Sequence, residues 1–313
     1  MIKKYLKLLF KIAFSVIVLY FLTKKVDLSE IKNIIMNSDI RIFILVLFVY
    51  LLGQVVCSYK WKMISKTLGF KDNFFKHIQY YFTGMFFNLF LPTTIGGDAI
   101  KCFYLSKAEN SPGKLIAFYS VITDRFTGLI IISTMATLGL ISSFGQNISL
   151  ITKVPFILLS MGLITSLFIP NILPTKFQNN RFKFITNLIE TAKTFINKPK
   201  LSFQILFVGL TFHLMVILIH IYIGKMIGIH ISGAYYFIVY PISALVGFIP
   251  ISFNGIGPRE FSYVTLLGLA GVKATDAISF SIIWFAIIFC SSLTGIIFYV
   301  KANKESTGFF RAI

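Results

Sequence analysis

Leu91-Pro92-Thr93-Thr94-Ile95-Gly96-Gly97-Asp98-Ala99-Ile100-Lys101 breaks a hydrophobic run and leaves two opposite charges behind the break. Proline removes a backbone donor and glycine loosens the chain, so a helix entering this stretch ends in it. Both flanks are apolar, from Phe74 to Leu91 and onward to Tyr104. Backbone opened in this way survives at membrane depth only where protein covers it or where it lines a polar cavity. About 30 residues make two short arms but not two full spans of about 20 residues each, so a re-entrant hairpin is predicted here.

A second stretch answers the first: Phe248-Ile249-Pro250-Ile251-Ser252-Phe253-Asn254-Gly255-Ile256-Gly257-Pro258-Arg259-Glu260. Setting Pro92 over Pro250 also sets Phe90 over Phe248, Gly97 over Gly255, Lys101 over Arg259 and Phe103 over Phe261. Further on, the run holding Asp124-Arg125 falls over the run holding Trp284-Phe285. The chain thus reads as a single integral membrane domain, 1–313, with two related halves, as in transporters built from internal repeats. The first half, 42–142, carries the re-entrant motif 90–104. The second, 201–300, carries the motif 248–263, and a basic amphipathic connector, 171–200, joins them.

Composition agrees. The 313 residues are 56% hydrophobic and only 13% charged, with mean hydropathy +0.82, which excludes an ordinary soluble domain. The formal net charge of +19 would suggest nucleic acid in a soluble chain. Here the cations cluster between apolar runs, where membrane orientation and anionic headgroups account for them, so no nucleic-acid partner is expected. Cys57, Cys102 and Cys290 lack metal-ligand spacing and read as buried thiols. No cofactor or metal is implied.

The fold class expected is all-α and polytopic, with about six full transmembrane helices and two re-entrant hairpins in halves of inverted topology. Lys3, Lys4, Lys7 and Lys11 precede an apolar run to Leu22 without a small-residue cleavage site, the pattern of a signal anchor. Lys24 to Arg41 suggests an interfacial helix on the far side. A span from Ile42 to about Tyr59 ends in Lys60, Lys62, Lys66, Lys71 and Lys76, read as a cytoplasmic loop. Lys101, Lys107 and Lys114 form a second cationic cluster, so the first hairpin leaves and re-enters the cytoplasmic side. After spans at Leu115 to Ile141 and Val154 to Ile169 comes a third basic loop. In it Ile185, Leu188, Ile189, Ala192, Phe195 and Ile196 share one helical face, predicted to lie flat on the leaflet. Spans at Leu201 to Ile223 and Ala277 to Val300 flank the second hairpin, which has only Lys225 and Lys273 nearby. By the charge rule it enters from outside while both termini stay in the cytoplasm of a cell-membrane protein.

Asp124 and Arg125 lie about 15 Å into a helix starting near Lys114, close to the bilayer centre. Neighbouring residues on a helix diverge by about 100°, so each needs a partner elsewhere. Asp124 is expected to face Lys101 or Arg259, and Arg125 to face Asp98, Glu260 or a lipid phosphate. Thr93, Thr94, Gly96, Gly97, Asn254, Gly255 and Gly257 would give small, hydrogen-bonding surface at the two breaks, with Asn88 a lesser polar candidate. Helix N-termini restarting near Asp98 and Glu260 could point positive ends at an anion. The competing reading is structural: tightly packed kinks, and a permanent ion-pair staple between the halves. His213 and His220 share one face of a span and read as satisfied interior residues.

Taken together, Leu91-Pro92-Thr93 with Gly96-Gly97-Asp98 and Lys101, the Asp124-Arg125 pair and Asn254-Gly255-Ile256-Gly257-Pro258-Arg259-Glu260 resemble the transmembrane region of lysylphosphatidylglycerol synthases. The resemblance covers nearly the whole chain. It implies a flippase-like module associated, in bifunctional members, with moving an aminoacylated phospholipid between leaflets while a soluble domain attaches the amino acid. No such domain follows before Ile313, so the transferase activity is not expected of this chain. Lys101 stands where arginine is common in that family, and Pro258 where a small aliphatic residue is common.

The function expected is therefore lipid translocation, with Asp98, Lys101, Asp124, Arg125, Arg259 and Glu260 holding an anionic or zwitterionic headgroup. Two other classes remain open. One is an intramembrane enzyme acting on a lipid-linked substrate, with Asp124 or Glu260 as base. The other is an accessory subunit of a lipid-modifying or glycosyl-transferring system, alone, as a homo-oligomer or beside a partner membrane enzyme.

Overall fold

The computed structural model describes residues 13–18, 20–22, 24, 26–91, 96–172, 183–249, 251–252 and 255–305. The described residues are all-α, without a strand among them. Four apolar helical stretches of 28 residues each are long enough to cross a bilayer: Ile40–Thr67, Lys114–Ile141, Pro199–Met226 and Ala274–Lys301. At 1.5 Å per residue each is about 42 Å long, well over the hydrocarbon thickness of about 30 Å. Two of the six expected spans fall in shorter apolar helices, Ala13–Leu22 and Leu150–Ser166. The chain is a multi-pass membrane protein.

Helix α1 (Leu28–Met36) is capped by Asp27, which accepts from the Ser29 N–H, and packs on the last long helix. Helix α2 is Ile40–Thr67. The first hairpin is α3 (Phe74–Phe90) and α4 (Gly96–Ser106), and α5 is the long helix Lys114–Ile141. Helices α6 (Leu150–Ser166), α7 (Ile169–Ile172) and α8 (Lys183–Ile196) lead to α9 (Pro199–Met226). The second hairpin is α10 (Tyr236–Phe248) and α11 (Pro258–Leu269), followed by α12 (Ala274–Leu293) and α13 (Gly295–Glu305). A long helix, a broken hairpin and another long helix therefore occur in that order twice.

The two leading long helices, α2 and α9, pack along each other. Both hairpins fold arm on arm, α3 against α4 and α10 against α11, and each docks on α5 through one arm: α4 for the first and α10 for the second. The main core joins α5, α9, α10, α11 and α12 around Ile132, Val216, Tyr236, Ile238, Leu267 and Phe280. Helix α8 is seated by Phe195, which packs with Ile64 and Ile205, while Phe184 and Ile185 stay exposed.

Glycines set how tightly the hairpins close. A Cβ on Gly97 would lie 2.1 Å from the Gly84 carbonyl oxygen, and one on Gly255 would lie 2.7 Å from that of Gly247. Each hairpin thus brings its arms together across a glycine pair. Gly255 (φ 78°) and Gly257 (φ 99°) also adopt left-handed backbone that only glycine takes without strain. The N-terminal stretch covers the second break, where the Ser15 hydroxyl donates to the Ile256 carbonyl at 2.9 Å and Val18 packs on Gly257.

One expectation is overturned. Lys60 does not belong to a solvated loop, because α2 continues through it to Thr67 and buries it in the protein. The buried face Gly53, Gln54, Cys57, Ser58, Trp61, Ile64 and Ser65 passes beside it, so helical geometry carries Lys60 inward.

Gly97→Ala is expected to prevent closure of the first hairpin and lower the melting temperature of the purified protein sharply. Gly162→Ala, where nothing lies within 4 Å of the added methyl, should leave it unchanged or slightly raised. Thermal melts in detergent, followed by gel filtration, compare the two.

Candidate headgroup site between the hairpins

Five charged side chains form an alternating ladder. Lys60 Nζ on α2 lies 3.1 Å from Asp124 Oδ1 on α5, and donates to the Asp124 backbone carbonyl at 3.0 Å and the Thr127 hydroxyl at 3.4 Å. Lys101 Nζ on α4 lies 3.8 Å from Asp124 Oδ2, a coulombic contact, and 2.9 Å from Asp98 Oδ1. Arg125 grips Asp98 with both arms of its fork, Nε to Oδ2 at 2.7 Å and Nη2 to Oδ1 at 3.1 Å. Each aspartate is thereby shared by two cations, and the order runs Lys60, Asp124, Lys101, Asp98, Arg125.

Local structure explains the placement. Asp98 is the third residue of α4, where a carboxylate suits the helix N-terminus, and Lys101 follows one turn later on the same face. The hairpin is held in position by the Gly97 N–H, which donates to Asn88 Oδ1 at 2.7 Å. Lys101 is further enclosed by aromatic faces, 4.6 Å from the Tyr81 ring centroid and 5.4 Å from that of Trp61.

The second hairpin uses its charges differently. Glu260 is also the third residue of its helix, but its Oε2 accepts from the Gly257 N–H at 2.6 Å and its Oε1 from its own neighbour Arg259 at 2.9 Å. Aligned on helix starts, Asp98 therefore matches Glu260 rather than Lys101 matching Arg259. Arg259 lies over the Phe285 ring, and Arg125 over Phe248 at the end of α10.

These groups meet at a cavity of about 320 Å³. Of the residues singled out from sequence, Asp98, Lys101, Asp124, Arg125, Gly255 and Arg259 line it, together with Asn88. Gly96, Gly97, Gly257 and Glu260 do not, and serve hairpin closure and helix capping. Thr93, Thr94 and Asn254 lie outside the described residues. Among the alternatives for Arg125 the structure selects Asp98, and for Asp124 it selects Lys101 and adds Lys60. Lys60 was legible only as the continuation of the polar face of α2, since lysines at 62 and 66 disguise it as part of a loop.

Aromatic and neutral-polar side chains also line the cavity, among them Tyr50, His213, Tyr240, Tyr263 and Trp284. His213 Nδ1 is 2.7 Å from the Tyr240 hydroxyl, and His220 is 2.8 Å from that of Tyr263. The second ring nitrogen of His220 faces the Val216 carbonyl at 2.8 Å, so it carries the proton and Nε2 accepts from Tyr263. These contacts fasten the second hairpin to α9. Among the described residues no cluster of ligating side chains could hold a metal ion.

The model of the lysylphosphatidylglycerol synthase TM region matches residues 8–295, which takes in the ladder, the cavity and both hairpins. The chain belongs to this family. It is also similar to a UPF0104 membrane protein of Methanocaldococcus jannaschii, 32% identical over 117 residues, covering 36% of this chain and 34% of the relative. A UPF0104 membrane protein of Pyrococcus horikoshii is 26% identical over 129 residues, covering 41% and 37%. The chain thus spans little more than a third of the length of these curated relatives.

Asp98→Asn would break the buried pair with Lys101, leaving that lysine only its longer contact to Asp124, and would take the carboxylate from the part-exposed Arg125. A loss of about 3–5 kcal/mol is expected, the cost of stripping one partner from a buried ion pair. The double change Asp98→Asn with Lys101→Met should recover part of it. Chemical denaturation of the two variants in detergent measures the difference.

Proposed function

We propose that this protein is a flippase-like lipid translocase, carrying the phosphate-bearing headgroup of a phospholipid or other lipid-linked amphiphile between leaflets while the acyl chains stay in the bilayer. The observation that carries this reading is a charge-lined cavity bounded by two broken hairpins in the interior of a membrane protein. Its volume is about 320 Å³. Small-molecule sites start at about this size.

The name of the family, a lysylphosphatidylglycerol synthase TM region, supports a lipid as the cargo. The ladder supports the phosphate, because Arg125 offers a planar fork and cations in a low-dielectric wall favour an anion. On this reading the two sequences of long helix, hairpin and long helix are halves of inverted topology, with the hairpins entering from opposite leaflets and both termini in the cytoplasm. The halves would supply inward- and outward-facing access to one site. Asp98 and Glu260 would hold Arg125 and Arg259 whenever no headgroup is bound.

The test is transport by purified protein in sealed liposomes containing a fluorescent phospholipid whose outer-leaflet fraction is bleached by a membrane-impermeant reductant. Loss of the protected inner-leaflet signal well above that of empty liposomes is expected, with lipid mass unchanged. Arg125→Ala and Arg259→Ala should slow exchange at least tenfold. Wild-type exchange no faster than in protein-free liposomes would overturn the proposal, and a changed lipid mass without exchange would assign an enzyme instead.

A further inference from the structure

An alternating row of charges that begins and ends with a cation cannot be neutral. Among the described residues Lys60, Lys101 and Arg125 stand against Asp98 and Asp124, and the Arg259–Glu260 pair adds nothing to the balance. The remaining cavity-lining side chains among the described residues are uncharged or neutral-polar, His213 being held by a tyrosine hydroxyl. The row is exposed at one end. The Arg125 side chain is 37% exposed, whereas those of Lys60, Asp124, Lys101 and Asp98 are 10% or less.

We infer that the site is built for a headgroup with one net negative charge, a phosphodiester without a compensating amine. Buried charge is tolerated only when balanced, so a monoanionic diester at Arg125 completes the ladder and leaves the cavity neutral. A zwitterionic headgroup such as phosphocholine brings a quaternary amine that restores the surplus. A lysyl ester of phosphatidylglycerol, with two amines against one phosphate, enlarges it. The specificity thus arises from Lys60, without which the ladder would already be neutral when empty. This inference rests on the proposed translocation site but concerns binding, so the two can fail separately.

The experiment is native mass spectrometry of the detergent-purified full chain with an equimolar mixture of phosphatidylglycerol, phosphatidylcholine and lysylphosphatidylglycerol. The net charge of +19 draws anionic lipid to the surface of every variant, so differences between variants report the site. The wild type should retain phosphatidylglycerol at least tenfold over the other two. Lys60→Met should abolish that preference, and Lys60→Met with Asp124→Asn, which restores one surplus cation, should recover it. Should Lys60→Met elute as aggregate, Asp124→Asn carries the test, because two surplus cations must strengthen the preference. Equal retention of the three lipids by the wild type, or a double variant no more selective than Lys60→Met, would overturn the inference. Soluble glycerophosphoglycerol serves as competitor. Binding it as tightly as the lipid would uphold the charge class and overturn lipid translocation. Lipid exchange in liposomes without headgroup preference would do the reverse.

Discussion

A carboxylate moved into the interior of a membrane protein costs several kcal/mol unless cations meet it, and this molecule meets each of two aspartates with two. That requirement governs the arrangement of the first half. Asp98 reaches Arg125 only if α4 lies against α5, and Lys101 reaches both aspartates only if the hairpin folds tightly enough to aim its first turn inward. The Gly84–Gly97 contact and the Asn88 bond to the Gly97 N–H are the backbone conditions for that aim. Lys60 then fixes the angle of α2, since its ammonium must arrive at the far side of Asp124.

The two hairpins share construction and differ in attachment. Both have a glycine pair between arms and an acidic residue in the third position of the second arm. In the first hairpin that acid is given away to a neighbouring helix, so ion pairs bind hairpin to scaffold. In the second it is kept at home, capping its own helix and holding its own arginine. The scaffold contact is instead made by neutral hydrogen bonds, Tyr240 to His213 and Tyr263 to His220. A neutral hydrogen bond contributes about 1 kcal/mol and a buried ion pair resists rupture several times more strongly. The first hairpin is thus fastened by charge and the second by hydrogen bonds and the main hydrophobic core, while Arg259 keeps its carboxylate partner on its own helix.

Much of this was legible in the sequence because the signals were physical exclusions. Proline, glycine and charge inside an apolar run cannot be an uninterrupted span, which placed the breaks, and the expected helix start near Lys114 placed Asp124 well inside α5. The pairing of Arg125 with Asp98 stood among three alternatives that no spacing rule could separate, since it depends on how two helices pack. Lys60 was hidden for a different reason. A lysine at the end of an apolar run, with more lysines after it, has the composition of a membrane-flanking loop. Only the rotation of α2, set by its packing along α9, turns that one lysine inward while Lys62 and Lys66 stay partly exposed or exposed. The partners of Glu260 were hidden in another way, because at a helix start a long side chain curls back to the backbone, and adjacency in sequence then becomes adjacency in space.

The lysine at position 101 follows from the same geometry. Arginine at this place would present a planar fork, well matched to a single carboxylate or phosphate and poorly matched to two carboxylates on different helices. The ammonium of Lys101 is a compact point charge, and it sits between Asp98 and Asp124 with aromatic faces of Tyr81 and Trp61 around it. Its charge is consumed inside the ladder. The fork is supplied one step further along by Arg125, at the exposed end, where bidentate recognition of an oxyanion is useful. The choice of lysine at 101 therefore bears on how the two aspartates are shared and leaves the Arg125 fork intact.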